Sequence, residues 1–360
     1  MNTKPIDAIA NAVLYEGYML YPYRPSSVKN RQRFNFGVLY PRSYSEAQTG
    51  LDAWRMQTEC LVQGGFATAI DVRVRFLKLV ARSVRKVTEP APPMAEPPGF
   101  ETVPRLEVDG KVFTHWQEAI EREVTVPACN LDALTQTPVE LAFAFPAKEE
   151  MEVLRDAHGR VVGMIARKQE SVQGMVEILA ERAGDGLFKI QVQVKNLTSC
   201  ESDAGEIGRG RDSALMRSLV SAHTLLGVAD GQFVSLLEPP ENLTEVAASC
   251  QNVGVWPVLV GGEGERGTML ASPIILYDYP QIAPESPGDL FDGTEIDEIL
   301  ALRILTMTDA EKSEMRNTDD RARKMLERTE NLPMEHLMKL HGTLRELRPS
   351  ELRPLNEEMP

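Results

Sequence analysis

Alternating apolar and polar residues dominate the middle of the chain. The run Phe66–Phe76 alternates over a length typical of a half-buried strand, and Phe188–Val194 repeats the pattern without a break. Other short apolar runs between residues 105 and 198 are separated by turn dipeptides, which are Asp109-Gly110, His158-Gly159 and Asp185-Gly186. The pattern predicts an α+β protein with a predominantly antiparallel β core, either a sandwich or barrel-like.

Helical periodicity is found at both ends of the chain and once within the β region. Residues 5–20 place their apolar side chains on one face, which predicts an N-terminal helix. A second run, Ala214–Leu226, fits one helix, with His223 on or beside its apolar face as a core or edge histidine. Thr308 and Glu311 form a capping signature near the C-terminus. The C-terminal helices are predicted to begin near residues 296, 308, 319 and 333.

Proline-rich stretches indicate how the chain is divided. Residues 88–104 contain six prolines and are typical of a stiff linker or of an excursion from one domain. The predicted order is an N-terminal helix, Tyr/Arg segment and first strand (1–87), this Pro-rich stretch (88–104), an antiparallel β core with one inserted helix (105–280), an acidic Pro-rich turn with a helical appendage (281–347), and a disordered tail (348–360).

The stretch Ser272–Glu298 has the most specific composition in the chain. Pro273–Tyr277 has the length and apolar character of a strand, and the prolines that follow force an irregular path. Thr294 is positioned to cap a helix whose first turn favours acids, which explains part of the negative charge. The alternative is a docking loop that presents acids to a basic partner or a metal. Those acids are Glu285, Asp289 and Asp292.

Tyrosines and bases lie close together in residues 15–42. Tyr21 and Tyr23 precede Arg24, Lys29, Arg31 and Arg33. Two interpretations remain open. The rings either pack into the core with their hydroxyls facing water, or they form a binding surface with the arginines, since Tyr and Arg are enriched at protein interfaces.

The charge balance narrows the classes of partner. The chain has 39 bases and 53 acids, which gives a net charge of −14 and a pI near 5.0. Nucleic-acid binding is not expected, because affinity for phosphates depends on clustered bases. No apolar run is long enough to cross a bilayer, and the N-terminus lacks a charged-then-apolar leader, so a cytoplasmic protein is expected.

Motifs for catalysis, cofactors and metals are missing from the sequence. The four cysteines are widely spaced and form no CxxC pair, so a zinc site or a redox dithiol is not expected. The sequence contains no P-loop, no Rossmann glycine motif, no nucleophile elbow and no HExxH motif. No catalytic residue, metal ligand or cofactor is therefore assigned.

Six segments near the two ends of the chain carry a family resemblance, and they are Tyr21–Ser27, Lys29–Arg31, Gly254–Gly261, Ser272–Pro280, Ala283–Asp292 and Thr294–Leu300. Together they resemble an uncharacterised bacterial protein family encoded beside the structural and maturation genes of [NiFe]-hydrogenases. The resemblance implies an accessory protein, with a hydrogenase subunit or maturation factor as its partner. It supplies no catalytic residue, and the lack of CxxC pairs favours protein binding over direct metallocentre chemistry.

Three functional hypotheses follow. The first is a non-catalytic accessory protein that assists assembly, maturation or stability of a hydrogenase through protein–protein binding. The second is an enzyme whose pocket combines Arg31 and Arg33 with a carboxylate such as Asp278 or Glu285. The third is transient carriage of a divalent metal by the acidic turn. The protein-binding candidates are Tyr21, Tyr23, Arg24, Lys29, Arg31, Arg33, Asp278, Tyr279, Glu285, Asp289, Asp292 and Glu295.

Overall fold

One strand of 33 residues, β1 (Arg55–Val87), pairs with five other strands and joins the parts of the sheet. The computed structural model describes residues 4–15, 36–48, 52–88, 99–200, 207–281, 301–317 and 320–333. Within them, the main sheet has eleven antiparallel strands and a two-stranded hairpin stands apart. The predicted α+β class is confirmed: an antiparallel β core carries an N-terminal helix and C-terminal helices, and the sheet is open.

The remaining elements are short compared with β1. The strands are β2 (Phe100–Thr102), β3 (Arg105–Val108), β4 (Lys111–Thr114), β5 (Trp116–Asn130), β6 (Val139–Phe145), β7 (Lys148–Arg155), β8 (Val161–Gln169), β9 (Val172–Gly184), β10 (Leu187–Asn196), β11 (Val220–Val234), β12 (Trp256–Leu259) and β13 (Thr268–Ser272). The helices are α1 (Lys4–Tyr15), α2 (Arg42–Ala47), α3 (Leu131–Leu134), α4 (Ile207–Leu215), α5 (Thr244–Ala248), α6 (301–305), α7 (Asp309–Arg316) and α8 (Asp320–Glu330).

Both edges of β1 are paired along most of its length. One edge pairs with β10, then β5, then β2, and the other pairs with β11 and then β8. A strand this long satisfies its backbone donors and acceptors only by changing partners along its course. The chain on either side of the Pro-rich stretch joins the same sheet, because the Thr88 amide donates to the Gly99 carbonyl at 2.9 Å.

A bulge interrupts β1 where its partner changes from β10 to β5. The register against β11 shifts between Gly64 and Ala69. The Thr68 hydroxyl accepts a hydrogen bond from the Gly65 amide at 2.8 Å and donates to the Asp230 carbonyl at 2.6 Å. Bulges bend the strand that contains them, so Thr68 fixes the point at which β1 turns.

The sheet is buried on both faces around β11. On one face, side chains from nearly every long strand form the main core, including Phe76 of β1, Val126 of β5 and Val192 of β10. On the other face, α1 packs its apolar stripe against β11, β12 and β13, which confirms the predicted N-terminal helix. Asn11 of α1 accepts a hydrogen bond from Arg75 of β1 at 2.7 Å, which fixes the position of the helix.

A buried lysine lies where the β6–β7 connection passes beside β1. Lys78 is 1% exposed, and its Nζ donates to the carbonyl oxygens of Phe145 (3.4 Å) and Pro146 (2.8 Å). Pro146 ends β6, as predicted, and β7 then pairs with β8 instead of β9. Burial lowers the pKa of Lys78, and the nearby Arg122 guanidinium lowers it further. Lys78 therefore supports the connection by donating to the carbonyls of two consecutive residues where β6 ends.

The predicted hairpin turns are confirmed. Asp109 and Gly110 have φ values of 48° and 77°, which is the left-handed pair of a type I′ turn. His158-Gly159 lies between β7 and β8, and Asp185-Gly186 lies between β9 and β10. The β3–β4 hairpin keeps one register along its length. The other two hairpins each shift register beside the turn, between Leu154 and Arg155 and between Leu187 and Phe188.

Two predicted elements are wrong. Ala214–Leu226 is not one helix: α4 ends at Leu215, and His223 lies in strand β11. Because β11 is buried on both faces, its sequence is apolar without alternation and cannot be distinguished from a buried helix by periodicity. Pro273–Tyr277 is not a strand either, since β13 ends at Ser272 and Tyr277 is 86% exposed.

The C-terminal helices form a small cluster of their own. Thr308 and Glu311 make the predicted capping box at the start of α7. Met315 of α7 packs with Met325 and Leu326 of α8, and Lys312 and Arg316 pair with Glu330. The predictions of a cap at Thr294, a helix from Pro333 and a disordered tail concern residues outside the described ranges.

We expect Lys78→Met to lower the free energy of unfolding by about 1 to 3 kcal/mol, because the Phe145 and Pro146 carbonyls lose the donor that joins them to β1. Urea denaturation followed by circular dichroism measures the change. Lys111→Met, at an exposed end of β4, is the matched control and should leave the midpoint unchanged. If Lys78→Met and Lys111→Met had the same urea midpoint, Lys78 would not stabilise the β6–β7 connection.

Candidate functional site

The structure describes two of the twelve predicted protein-binding residues, Asp278 and Tyr279. The others lie outside the described ranges, and their predicted roles stay predictions. They are Tyr21, Tyr23, Arg24, Lys29, Arg31, Arg33, Glu285, Asp289, Asp292 and Glu295.

Asp278 fastens the chain after β13 to the end of the sheet. Its Oδ1 accepts a hydrogen bond from the Leu259 amide at 2.7 Å, and its Oδ2 accepts one from the Ser235 hydroxyl at 2.5 Å. The Ser235 oxygen in turn accepts from the amides of Leu237 and Glu238. We call this group of bonds the Asp278 knot. It joins the end of β11, the edge of β12 and the segment 273–281, so the carboxylate has a structural task.

Tyr279 covers the outer edge of β12. Its amide donates to the Leu259 carbonyl at 2.8 Å, beside the amide that Asp278 accepts from. The Val260 amide faces β13 instead, since it donates to Thr268. Tyr279 has a φ of 56°, which a non-glycine residue rarely adopts, and its ring packs against the main core. Tyr279 therefore covers the edge of β12 at Leu259, where another strand could otherwise pair.

An aromatic–arginine cluster lies at the start of β1. The guanidinium carbons of Arg42 and Arg55 lie 4.8 and 5.5 Å from the centre of the half-buried Trp54 ring. The Tyr40 amide donates to the Ala53 carbonyl, which brings the chain before α2 beside Trp54. We call the set the Trp54 cluster. Its members are Tyr40, Arg42, Tyr44, Trp54, Arg55 and Arg211.

Arg211 of α4 completes the Trp54 cluster. Its Nε donates to the Tyr40 hydroxyl at 3.3 Å, and its Nη2 donates to Asp52 at 3.2 Å. The Tyr40 and Tyr44 ring centres are 5.4 Å apart. Burial raises the pKa of Tyr40 despite the opposing effect of Arg211, so the phenol stays protonated at neutral pH. The cluster therefore combines cations with aromatic rings, and the buried Tyr40 phenol holds Arg211 in place.

Sequence reasoning missed most of the Trp54 cluster. Only Tyr40 and Arg42 fall within the predicted Tyr/Arg segment, and Trp54 received no role. The sequence shows that Arg42, Trp54 and Arg55 lie close together along the chain. The contact between Arg42 and the Trp54 ring, however, depends on the turn that α2 introduces. Arg211 is far away in sequence and could not have been assigned.

His223 is a core histidine, as predicted, although it lies in a strand. It is fully buried, and its Nδ1 lies 2.9 Å from the Ser221 carbonyl, so Nδ1 carries the proton and Nε2 has the free lone pair. Among the residues that the structure describes, neither Nε2 nor the Ser221 hydroxyl has a hydrogen-bond partner. Burial, reinforced by Arg75 on the adjacent strand, lowers the pKa of His223 to about 4. The imidazole is therefore neutral near pH 7.

The buried carboxylate of Glu59 serves the fold. Its Oε1 accepts from the side-chain amides of Gln57 and Gln191, and its Oε2 accepts from the Gln251 amide at 2.8 Å. Lys189 lies 3.5 Å from Oε2. These partners connect β1, β10 and the chain before β12, so the carboxylate joins three segments.

Comparison of the sequence with known proteins identifies no family for this chain. The chain matches no protein-family model, and no curated protein matches it. Across the ranges that the structure describes, no group of three or more His, Cys, Asp or Glu side chains is arranged to hold a metal ion. None of the described helices has the length and apolar character of a membrane span. The Trp54 cluster and the Asp278 knot are thus the features on which a function can be argued.

We expect Asp278→Ala to free the segment 273–281 from β12, because the Leu259 amide and the Ser235 hydroxyl lose their acceptors. The free energy of unfolding should fall by about 1 to 3 kcal/mol. Hydrogen exchange at the Leu259 and Tyr279 amides should accelerate. Glu263→Ala, in the exposed turn between β12 and β13, is the control. Unchanged exchange at both amides in Asp278→Ala would contradict the knot.

We expect the stability of the protein to fall between about pH 6.5 and pH 4 because of His223. Its folded-state pKa lies below its unfolded value of about 6.5, so the unfolded chain binds the proton first and gains stability as the pH drops. The loss from this group should reach roughly 3 kcal/mol by pH 4. Urea titrations of the wild type and His223→Gln over this range measure it. Parallel pH profiles would contradict the prediction.

Proposed function

We propose that this protein is a non-catalytic accessory factor that assists assembly, maturation or stability of a [NiFe]-hydrogenase by binding one of its subunits or maturation factors. The observation that carries the binding role is the Trp54 cluster, which presents an aromatic ring between arginines on the described surface. The hydrogenase context is supported by the family resemblance of six segments, which are Tyr21–Ser27, Lys29–Arg31, Gly254–Gly261, Ser272–Pro280, Ala283–Asp292 and Thr294–Leu300.

The composition of the Trp54 cluster supports protein binding. Trp, Tyr and Arg are the residues most enriched among those that contribute most to interface energies. Arg55 is exposed and contacts the Trp54 ring, so its guanidinium has donors left for a partner. Arg42 and Arg211 are paired with Glu46 and Asp52, which keeps them oriented on the surface. Arg42 and Arg211 are thus ordered before a partner binds, so their side chains lose little entropy on binding.

The position of the cluster in the chain also supports this role. Tyr40 and Arg42 lie at the end of the predicted Tyr/Arg segment (15–42), which also contains Tyr21, Tyr23 and Arg24. Apart from Arg211, the segment and the cluster together place Tyr, Trp and Arg residues in one continuous part of the sequence, residues 15–55. We therefore propose that both belong to one binding surface.

The enzyme hypothesis has less support from the described residues. Asp278, its one described carboxylate, has both oxygens engaged by Leu259 and Ser235. A carboxylate whose two oxygens both hold chain segments together is a weak candidate for a catalytic group, because neither oxygen is directed at a substrate. Binding is accordingly the function that the geometry supports best.

The test is capture of the tagged protein from its native host during hydrogenase expression, with the co-purifying chains identified by mass spectrometry. We expect a hydrogenase subunit or maturation factor at near-stoichiometric amounts. Arg55→Glu should reduce its recovery by about tenfold, because it places a negative charge on the Trp54 cluster. Trp54→Ala should have at least the same effect.

Arg105→Ala is the matched control, since Arg105 is an exposed strand arginine whose ion-pair partner, Glu107, lies in the same strand. It should leave recovery unchanged. Circular dichroism confirms that each variant is folded. Recovery of the protein alone from the host would overturn the accessory role, and equal recovery with Arg55→Glu would overturn the assignment of the surface.

A further inference from the structure

Four bulky apolar side chains are exposed near the Asp278 knot. Ile275 and Tyr277 are 73% and 86% exposed, and Leu237 and Trp256 are about half exposed. We call these four residues the Tyr277 patch. Single exposed apolar residues are ordinary, but a group of large ones on neighbouring segments is typical of a binding site.

The segments that carry the patch are held together by specific bonds. Trp256 pairs with Ser272 at the end of the β12–β13 ladder, and the chain then passes to the outer edge of β12 at Leu259. The Ser235–Asp278 bond draws the end of β11, and hence Leu237, to the same edge.

Leu276 explains why its two neighbours face solvent. It packs against the apolar cluster beneath α1, while Ile275 and Tyr277 on either side of it are exposed. The exposed side chains are therefore presented by an anchored segment. An anchored segment needs little further ordering when it binds, which favours recognition.

The charge around the patch selects the partner. Residues 235–281 contain six acids and one base, Arg266. Six acids and one base give this segment a net charge of −5. A second copy of the chain would bring like charges together, whereas a basic segment would be attracted.

We infer that the Tyr277 patch docks a basic partner segment in which bulky apolar side chains alternate with Lys or Arg. This inference rests on the proposed binding role and adds a second surface, distinct from the Trp54 cluster. The apolar side chains of the partner contact Ile275, Tyr277 and Trp256. Its bases face the acids around them.

The test uses a fluorescein-labelled synthetic peptide of alternating leucine and lysine, with binding to the full chain followed by fluorescence anisotropy. We expect saturable binding at about 0.15 M salt, where weak long-range attraction is largely screened. The double variant Ile275→Ser/Tyr277→Ser should bind at least about tenfold more weakly. Met151→Ser/Val153→Ser, which removes two other exposed apolar side chains from β7, should bind as the wild type does.

Two control peptides measure separately how much charge attraction and apolar contact contribute to binding. Replacing leucine by serine tests attraction by charge alone, and replacing lysine by glutamate tests apolar contact alone; both should bind at least about tenfold more weakly than the leucine–lysine peptide. Equal binding of the serine peptide, or of the leucine–lysine peptide to Ile275→Ser/Tyr277→Ser, would overturn the inference. Light scattering gives the oligomeric state, and a dimer that Tyr277→Ser dissociates would identify a second copy as the occupant and overturn it too.

The result of the peptide-binding assay does not depend on the result of the capture experiment with the Trp54 and Arg55 variants. If a hydrogenase subunit is captured equally by the wild type and by Ile275→Ser/Tyr277→Ser, and the peptide does not bind, the accessory role stands and this inference fails. If the peptide binds at the Tyr277 patch but no hydrogenase component is captured, the docking surface stands and the hydrogenase context fails.

Discussion

The need to pair the backbone of β1 on both edges governs the rest of the structure. Thirty-three consecutive strand residues expose donors and acceptors that no single neighbour can satisfy, so β10, β5 and β2 share one edge and β11 and β8 share the other. Each change of partner needs a local solution. Thr68 ties the bulge at one change, and Lys78 satisfies the carbonyls of Phe145 and Pro146 near another.

The buried polar residues divide into those that join segments and those that remain unsatisfied. Lys78, Glu59 and Asp278 each bond two or more chain segments, so their charges stabilise connections between elements. His223 differs, because within the described ranges only its Nδ1 has a hydrogen-bond partner, and burial keeps the ring neutral. Because these charged side chains hold chain segments together and His223 is neutral, we argue function from the side chains on the surface.

Two surfaces arise where segments without regular structure are bonded to the sheet. The Trp54 cluster forms where α2 and α4 meet the start of β1, and it is rich in cations. The Tyr277 patch forms where the chain after β13 covers the edge of β12, and its surroundings are acidic. Their opposite charge suits them to different parts of a partner, or to two partners, since each attracts what the other repels.

The sequence by itself determined the local elements: the hairpin turns such as Asp109-Gly110, the stripe of α1 and the capping box at Thr308 all follow from short-range chemistry. Only the tertiary structure decided that the run around His223 is a strand, because burial on both faces removes the alternation that marks one. It also decided where Ile275 and Tyr277 face and how Arg211 reaches Tyr40. These depend on contacts between residues distant in sequence, which no local pattern contains.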